Sequence, residues 1–184
     1  MDNIRSSGIV TVIGFGGGSC LDAAKVASIA NKNPGYIGNY LGLNLVREKG
    51  ANIICIPTTA STGSEVTKYA VMTYGKEKRT MTSYYIIPDI AIVDPELTLT
   101  MPPKLTAGTG IDALSHAIEA YLSTWSNPIL DSIALTAISL IFKYLRKAYR
   151  DGGNLEARYY MSMVATATGI PLCSAGVLVG HSIA

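Results

Sequence analysis

Charge is scarce in this chain. Of its 184 residues only 15% are Asp, Glu, Lys or Arg, against about 25% in an ordinary globular domain. With 48% apolar residues, that shortage excludes a disordered tail and implies a buried sheet, buried helices, or an interface that the chain alone leaves open. The 15 basic and 13 acidic residues are scattered and leave a net charge of +2, so no Lys/Arg cluster offers nucleic acid a footprint. Cysteine is limited to Cys20, Cys55 and Cys173. They are odd in number, far apart and set among apolar or small residues, which argues against a disulfide framework and for a reducing cytoplasm. The opening residues, MDNIRSSGIVTVIG, have no basic stretch leading into an apolar core and a small-residue cleavage site, so no secretory signal is expected there. There is no internal repeat.

One uncharged run, residues 159–180, is long enough to cross a bilayer of about 30 Å. It carries Ser162, Thr166, Thr168, Ser174, several glycines and Pro171, and lacks aromatic or basic anchors at its far end. Small and polar residues where a membrane span would have Leu, Ile and Phe predict buried helices joined at residues 169–171, and no membrane.

What is present reads as an α/β half followed by an all-helical half. Residues 8–14 (GIVTVIG) form a β-branched run ending in glycine, as a buried parallel strand does. The chain then passes through GFGGGSCLD into a small-residue helix ending near residues 33–35. Residues 36–50 are a loop or short helix, and residues 51–57 (ANIICIP) a second buried strand followed by TTASTGSE. Residues 66–73 alternate weakly before a charged turn (GKEKR), and residues 86–93 (IIPDIAIV) are a further strand. Helical patterns follow at residues 110–123, 129–150 and 155–170. The expected organisation is a parallel, Rossmann-like α/β domain over residues 1–104 and an all-α domain over residues 105–184.

A strand, then GGGS, then a helix makes a seat for phosphate: glycines let the backbone approach an anion, and the helix N-terminus offers unpaired N–H groups. There is no G-x-x-x-x-G-K-[ST] loop. In the dinucleotide fingerprint the third glycine's place is taken by Ser19, and no acidic residue stands about 20 positions on to hold a ribose. A tight turn serving geometry alone is the plain alternative. The second hydroxyl- and glycine-rich turn, TTASTGSE, at another strand's carboxyl end tips the balance towards a nucleotide pocket, because ligands of open α/β sheets collect there.

Asp112 and His116 lie four apart in GIDALSHAIEAY, a spacing that stacks both side chains on one helix face. An intrahelical hydrogen bond would explain the pair. Both histidines of the chain, His116 and His181, nevertheless sit in small-residue helical contexts that give little reason for a core histidine. One carboxylate with two imidazoles suits iron(II) or zinc. Glu119, a turn further on, reads as a group orienting His116, whereas Asp94 and Glu96 read as turn residues.

Taken together, GGGSCLDAAK, PTTASTGSE, PDIAIVDPELTLTMPPKLTAGTGIDALSHAIEAY and, more loosely, SAGVLVGHSIA resemble the iron-containing (group III) alcohol dehydrogenases, a family that includes zinc-using glycerol dehydrogenases. The resemblance implies a nucleotide domain and a helical domain with cofactor and metal between them. It implies that Gly17, Gly18 and Ser19 hold the pyrophosphate of NAD or NADP, and that Asp22 lies at the nicotinamide end. By the same resemblance Thr58, Thr59 and Thr62 line the nucleotide, Lys78 approaches its ribose, and Asp112, His116 and His181 are three of four metal ligands. The implied reaction is hydride transfer between an alcohol and NAD(P), with Fe(II) or Zn polarising the substrate oxygen. A full-length member would be a homo-oligomer acting on a small alcohol or aldehyde.

The departures are as informative. A strand and helix that the family places before residue 8, and two later histidines, have no counterpart here, and IPLCSAG replaces the family's Asn and Phe ahead of the third ligand. The expectation is therefore a partial copy that binds metal weakly. Its rival is a catalytically silent fragment, or a piece that works only beside a complementing chain.

Overall fold

The computed structural model describes residues 8–175. They fall into two units, one built from residues up to Pro57 together with Ser64–Ile92, the other from Thr58–Gly63 together with residues from Val93 onward.

The first unit is α/β. Strands β1 (Thr11–Gly16), β3 (Asn52–Pro57) and β6 (Ile90–Ala91) form a parallel sheet in the order β1-β3-β6. Helix α1 (Gly18–Ser28) follows β1. Register pairs Ile13 with Ile54, Phe15 with Ile56 and Ile54 with Ile90, so these side chains share one face. The opposite face carries Gly14, Ile53 and Cys55. A Cβ on Gly14 would stand 2.9 Å from Ala24 Cβ and 3.3 Å from Leu21 Cα, so glycine is what lets α1 press onto the strand. That face is the core, with Leu21, Ile53 and Cys55 almost wholly buried. The Ile13 face is open instead: Ile13 is 61% and Phe15 59% exposed. Parallel sheets are ordinarily covered on both faces, and among the described residues this one is covered on one.

A second sheet, in the order β2-β5-β4, joins β2 (Gly42–Leu43), β5 (Glu77–Thr82) and β4 (Tyr69–Tyr74). Strands β4 and β5 are an antiparallel hairpin whose two-residue turn begins at Gly75, φ +63°, the left-handed geometry that hairpin turns favour. Of the charged turn expected at residues 75–79, only Gly75 and Lys76 are turn, and Glu77, Lys78 and Arg79 belong to the strand. Their exposed charged side chains hide the alternation, and the pairing with β4 supplies the order. The strand expected over residues 86–93 shrinks to Ile90–Ala91, preceded by a 3-10 turn at Tyr84–Ile86.

The second unit is helical: α2 (Pro103–Leu122), α3 (Pro128–Arg150) and α4 (Leu155–Ala175). Small residues bring them close, and Ala113, Ala117, Ala137, Ala148, Ala157 and Ala165 all lie in the core. Asn127 caps α3, its side-chain oxygen accepting from Ile129 and Leu130 N–H, with Pro128 at the first helical position. Helix α3 is long and apolar enough to span a membrane by length and composition alone, yet its Leu130–Ala134–Ala137–Ile141–Tyr144–Ala148 stripe is buried, as in a bundle helix.

Two helices were expected to meet at residues 169–171; a single helix runs through with Pro171 inside it. Proline removes one hydrogen bond, that of the residue 167 carbonyl, and burial of Val164, Ala165, Thr168 and Leu172 outweighs that loss. Arg158 locks the unit. Only 2% exposed, its guanidinium donates to Gly152 O (3.0 Å), Thr106 Oγ1 (2.8 Å) and Met101 O (3.1 Å).

Candidate functional site

In the first unit, β1 delivers the chain to the N-terminus of α1. Gly16 sits at φ +148°, and a Cβ there would fall 2.9 Å from Cys20 Cβ and Sγ, so the turn demands glycine. Gly17 is the N-cap, without a side-chain cap, and its carbonyl accepts from Cys20 and Leu21 N–H (2.9 and 3.2 Å). The N–H groups of Gly18 and Ser19 have no intrahelical acceptor. With no acidic residue in the first turn, the helix end presents partial positive charge to an anion.

Asp22, expected at the nicotinamide end, is held by protein donors on both oxygens. Ser64 donates its hydroxyl to Oδ1 (2.6 Å) and Val71 its N–H to Oδ2 (2.9 Å). Lys25, fully buried, donates to Thr67 O (2.9 Å), Thr67 Oγ1 (3.3 Å) and Tyr69 O (2.9 Å). These two side chains tether α1 to residues 64–71 and fix the direction in which its N-terminus points. Sequence reasoning missed Lys25; a lysine inside an otherwise small, apolar helix was the available signal. Cys55 lies beneath them, and burial pushes its thiol up to about 11, with Lys25 pulling it down and Glu65 and Asp22 pushing it up. At neutral pH it is an inert thiol. Lys78 stands exposed on β5, opposite Thr73. It shares no hydrogen bond or ion pair with the glycine turn among the described residues.

The second unit contains Thr58, Thr59 and Thr62. All three are half-buried, in a segment anchored at two points. Ala60 packs into the helical core. Gly63, at φ +59°, approaches α4 so closely that a Cβ would meet Gly169 Cα at 2.8 Å and Ala165 O at 2.9 Å. Between the anchors Ser61 donates its hydroxyl to Asp112 Oδ2 (2.8 Å).

Asp112 and His116 are one turn apart on α2. His116 Nε2 stands 3.9 Å from Asp112 Oδ1, and their side chains are 7% and 35% exposed. That gap exceeds a hydrogen bond and lies within the reach of two bonds of about 2.0–2.2 Å to a shared cation. The carboxylate lines an open hollow of about 570 Å³ with Ser61, Pro102, Lys104, Leu105, Gly108 and Thr109. A carboxylate oxygen and an imidazole nitrogen at this separation are donors of the kind that suit iron(II) or zinc. No group of three or more His, Cys, Asp or Glu that could hold a metal occurs among the described residues, and His181 lies outside them.

Two family models match the chain: iron-containing alcohol dehydrogenase over residues 1–95, and the C-terminal part of the Fe-containing alcohol dehydrogenase family over residues 106–184. This chain belongs to the iron-containing alcohol dehydrogenase family. It is 45% identical over 176 residues to long-chain-alcohol dehydrogenase 1 of Geobacillus thermodenitrificans, a match covering 94% of this chain and 45% of that one. It is 40% identical over 185 residues to the NAD-dependent methanol dehydrogenase of Bacillus methanolicus, covering 100% of this chain and 49% of the relative. Sulfoacetaldehyde reductase from Bifidobacterium kashiwanohense, solved with NAD+, superposes with a TM-score of 0.92 at 39% identity, over 98% of this chain and 49% of that one. The chain spans about half the length of these iron-containing alcohol dehydrogenase relatives.

Proposed function

We propose that this chain carries the pyrophosphate seat and two metal ligands of a cytoplasmic NAD(P)-dependent alcohol dehydrogenase acting on a small alcohol, or on its aldehyde or ketone. The observation that carries the reading is the Asp112–His116 pair, its facing atoms 3.9 Å apart, with Asp112 lining an open hollow. Family membership and the NAD-linked names of the relatives support it.

In this reading the N–H groups of Gly18 and Ser19, with Gly17, bind the cofactor's pyrophosphate at the helix N-terminus. Asp22 and Lys25 hold that helix end in place. Thr58, Thr59 and Thr62 offer hydroxyls to the nucleotide, and Lys78 contributes to its ribose. Asp112 and His116, joined by His181, hold iron(II) or zinc, which when bound polarises the substrate oxygen as a Lewis acid; NAD(P) supplies or takes the hydride. The residues thus do no covalent work: they bind, orient and keep the reacting partners together. The nucleotide half corresponds to residues 1–104 and the metal half to residues 105–184, and the complete protein is a homo-oligomer.

The test is NAD+- and NADP+-linked oxidation of propanol, 1,2-propanediol and glycerol by protein loaded anaerobically with iron(II) or zinc. Turnover that disappears on chelation and returns with metal is the expected result. Protein that takes up metal and cofactor yet turns over none of the three alcohols counts against it. One observation favours a second reading, in which the chain works only beside a complementing polypeptide: Ile13 and Phe15, on one apolar sheet face, are largely exposed, and such a surface associates. Activity gained only on mixing with a second chain would support that reading.

A further inference from the structure

We infer that Ser61 is a positioning residue for Asp112: its hydroxyl sets the rotation of the carboxylate so that Oδ1 is the oxygen offered to a cation. The inference deepens the metal-dependent reading above and rests on it. A carboxylate's last torsion is broad and roughly two-fold, so a half-exposed Asp112 beside an open hollow has two nearly equivalent oxygens. Ser61 breaks the equivalence. It donates to Oδ2 at 2.8 Å, while Oδ1 stands 3.9 Å from His116 Nε2. A hydroxyl also suits the task electrically: it occupies one oxygen without cancelling the negative charge a cation needs, as a lysine or arginine in its place would.

The donor is itself held rigidly. Ser61 is 8% exposed and lies between Ala60, packed in the helical core, and Gly63, seated against the backbone of α4. The bond spans 51 positions of sequence and joins the hydroxyl-rich turn to the candidate ligand helix. Groups that hold a metal ligand from behind in this way commonly change affinity by about 10–100-fold when removed.

The experiment is a cobalt(II) titration of the 184-residue chain, followed by calorimetry and by the visible absorption of the bound ion, for the parent, Ser61→Ala and Ser61→Thr. Ser61→Ala should weaken cobalt binding by about tenfold and alter the absorption band, while Ser61→Thr, which keeps the hydroxyl, restores most of the affinity. A merely structural role would move the unfolding midpoint and leave the spectrum of the bound ion unchanged. Parent-like affinity in Ser61→Ala, or an equal loss in Ser61→Ala and Ser61→Thr, overturns the inference and leaves the metal reading standing. A parent chain that binds no cobalt overturns both.

Discussion

Adding a single methyl at Gly63 should be among the most damaging small changes to the helical unit. Gly63 has φ +59°, and the atoms its Cβ would meet are all backbone: Gly169 Cα at 2.8 Å, with Ala165 O and Gly169 N at 2.9 Å. An L-residue in this left-handed conformation costs roughly 1–2 kcal/mol. Overpacking that no side-chain rotation can relieve adds about 1–3 kcal/mol, so Gly63→Ala should cost about 2–5 kcal/mol in all. Gly75 provides the control. Its φ is +63°, and nothing lies within 4 Å of its Cβ position, so Gly75→Ala carries the conformational cost alone. At about 2–4 °C per kcal/mol for a chain of this size, the two midpoints should differ by about 2–12 °C in thermal unfolding. Because the methyl would also push Ser61 away from Asp112, Gly63→Ala should weaken metal binding, and Gly75→Ala should not. Equal destabilisation by the two substitutions would refute the argument from close approach.

Burial pushes the Asp89 carboxyl up, but the Lys49 ammonium and the Ile53 N–H outweigh it and leave it below the usual carboxylate range. Its contribution is therefore complete above the unfolded value of about 3.9 and is lost as pH falls through the lowered folded value. Urea unfolding below about pH 4 should accordingly show a steeper acid loss in the parent than in Asp89→Asn. With Cys20 exposed and Cys55 buried, a thiol reagent at mild alkaline pH should label Cys20 first and Cys55 only on unfolding. Saturating NAD+ should slow labelling of Cys20, which follows Ser19 directly, and unchanged kinetics would count against the pyrophosphate seat. Arg158→Met should strand the oxygens of Thr106, Met101 and Gly152 that the guanidinium now serves. A loss of about 2–4 kcal/mol is expected by denaturant titration, and a shift under 1 kcal/mol would show that water replaces the guanidinium.

Much of this was legible in the sequence because it is written locally. A β-branched run ending in glycines announces a strand and a close turn, and a four-residue spacing on a helix puts Asp112 and His116 on one face. The three long helices likewise show in their periodicity. What escaped is nonlocal. Strand β5 exposes Glu77, Lys78 and Arg79 and is ordered by its hairpin partner, so its charges mimicked a turn. Pro171 signalled a break that helix burial overrides. Lys25 and Arg158 look like solvated charges until folding surrounds each with oxygens from distant segments. Ser61 reads as one hydroxyl among several in TTASTGSE, and only the fold brings it to Asp112 as a donor.

Anaerobic calorimetry with iron(II) or zinc, on the parent and on His116→Ala, addresses the metal pair most directly. One cation per chain is expected, held by Asp112 and His116 together with His181, and lost when the imidazole of His116 is removed. An unchanged isotherm in His116→Ala would mean that the cation sits elsewhere, and no heat at all from the parent would leave Asp112 and His116 as neighbours on a helix.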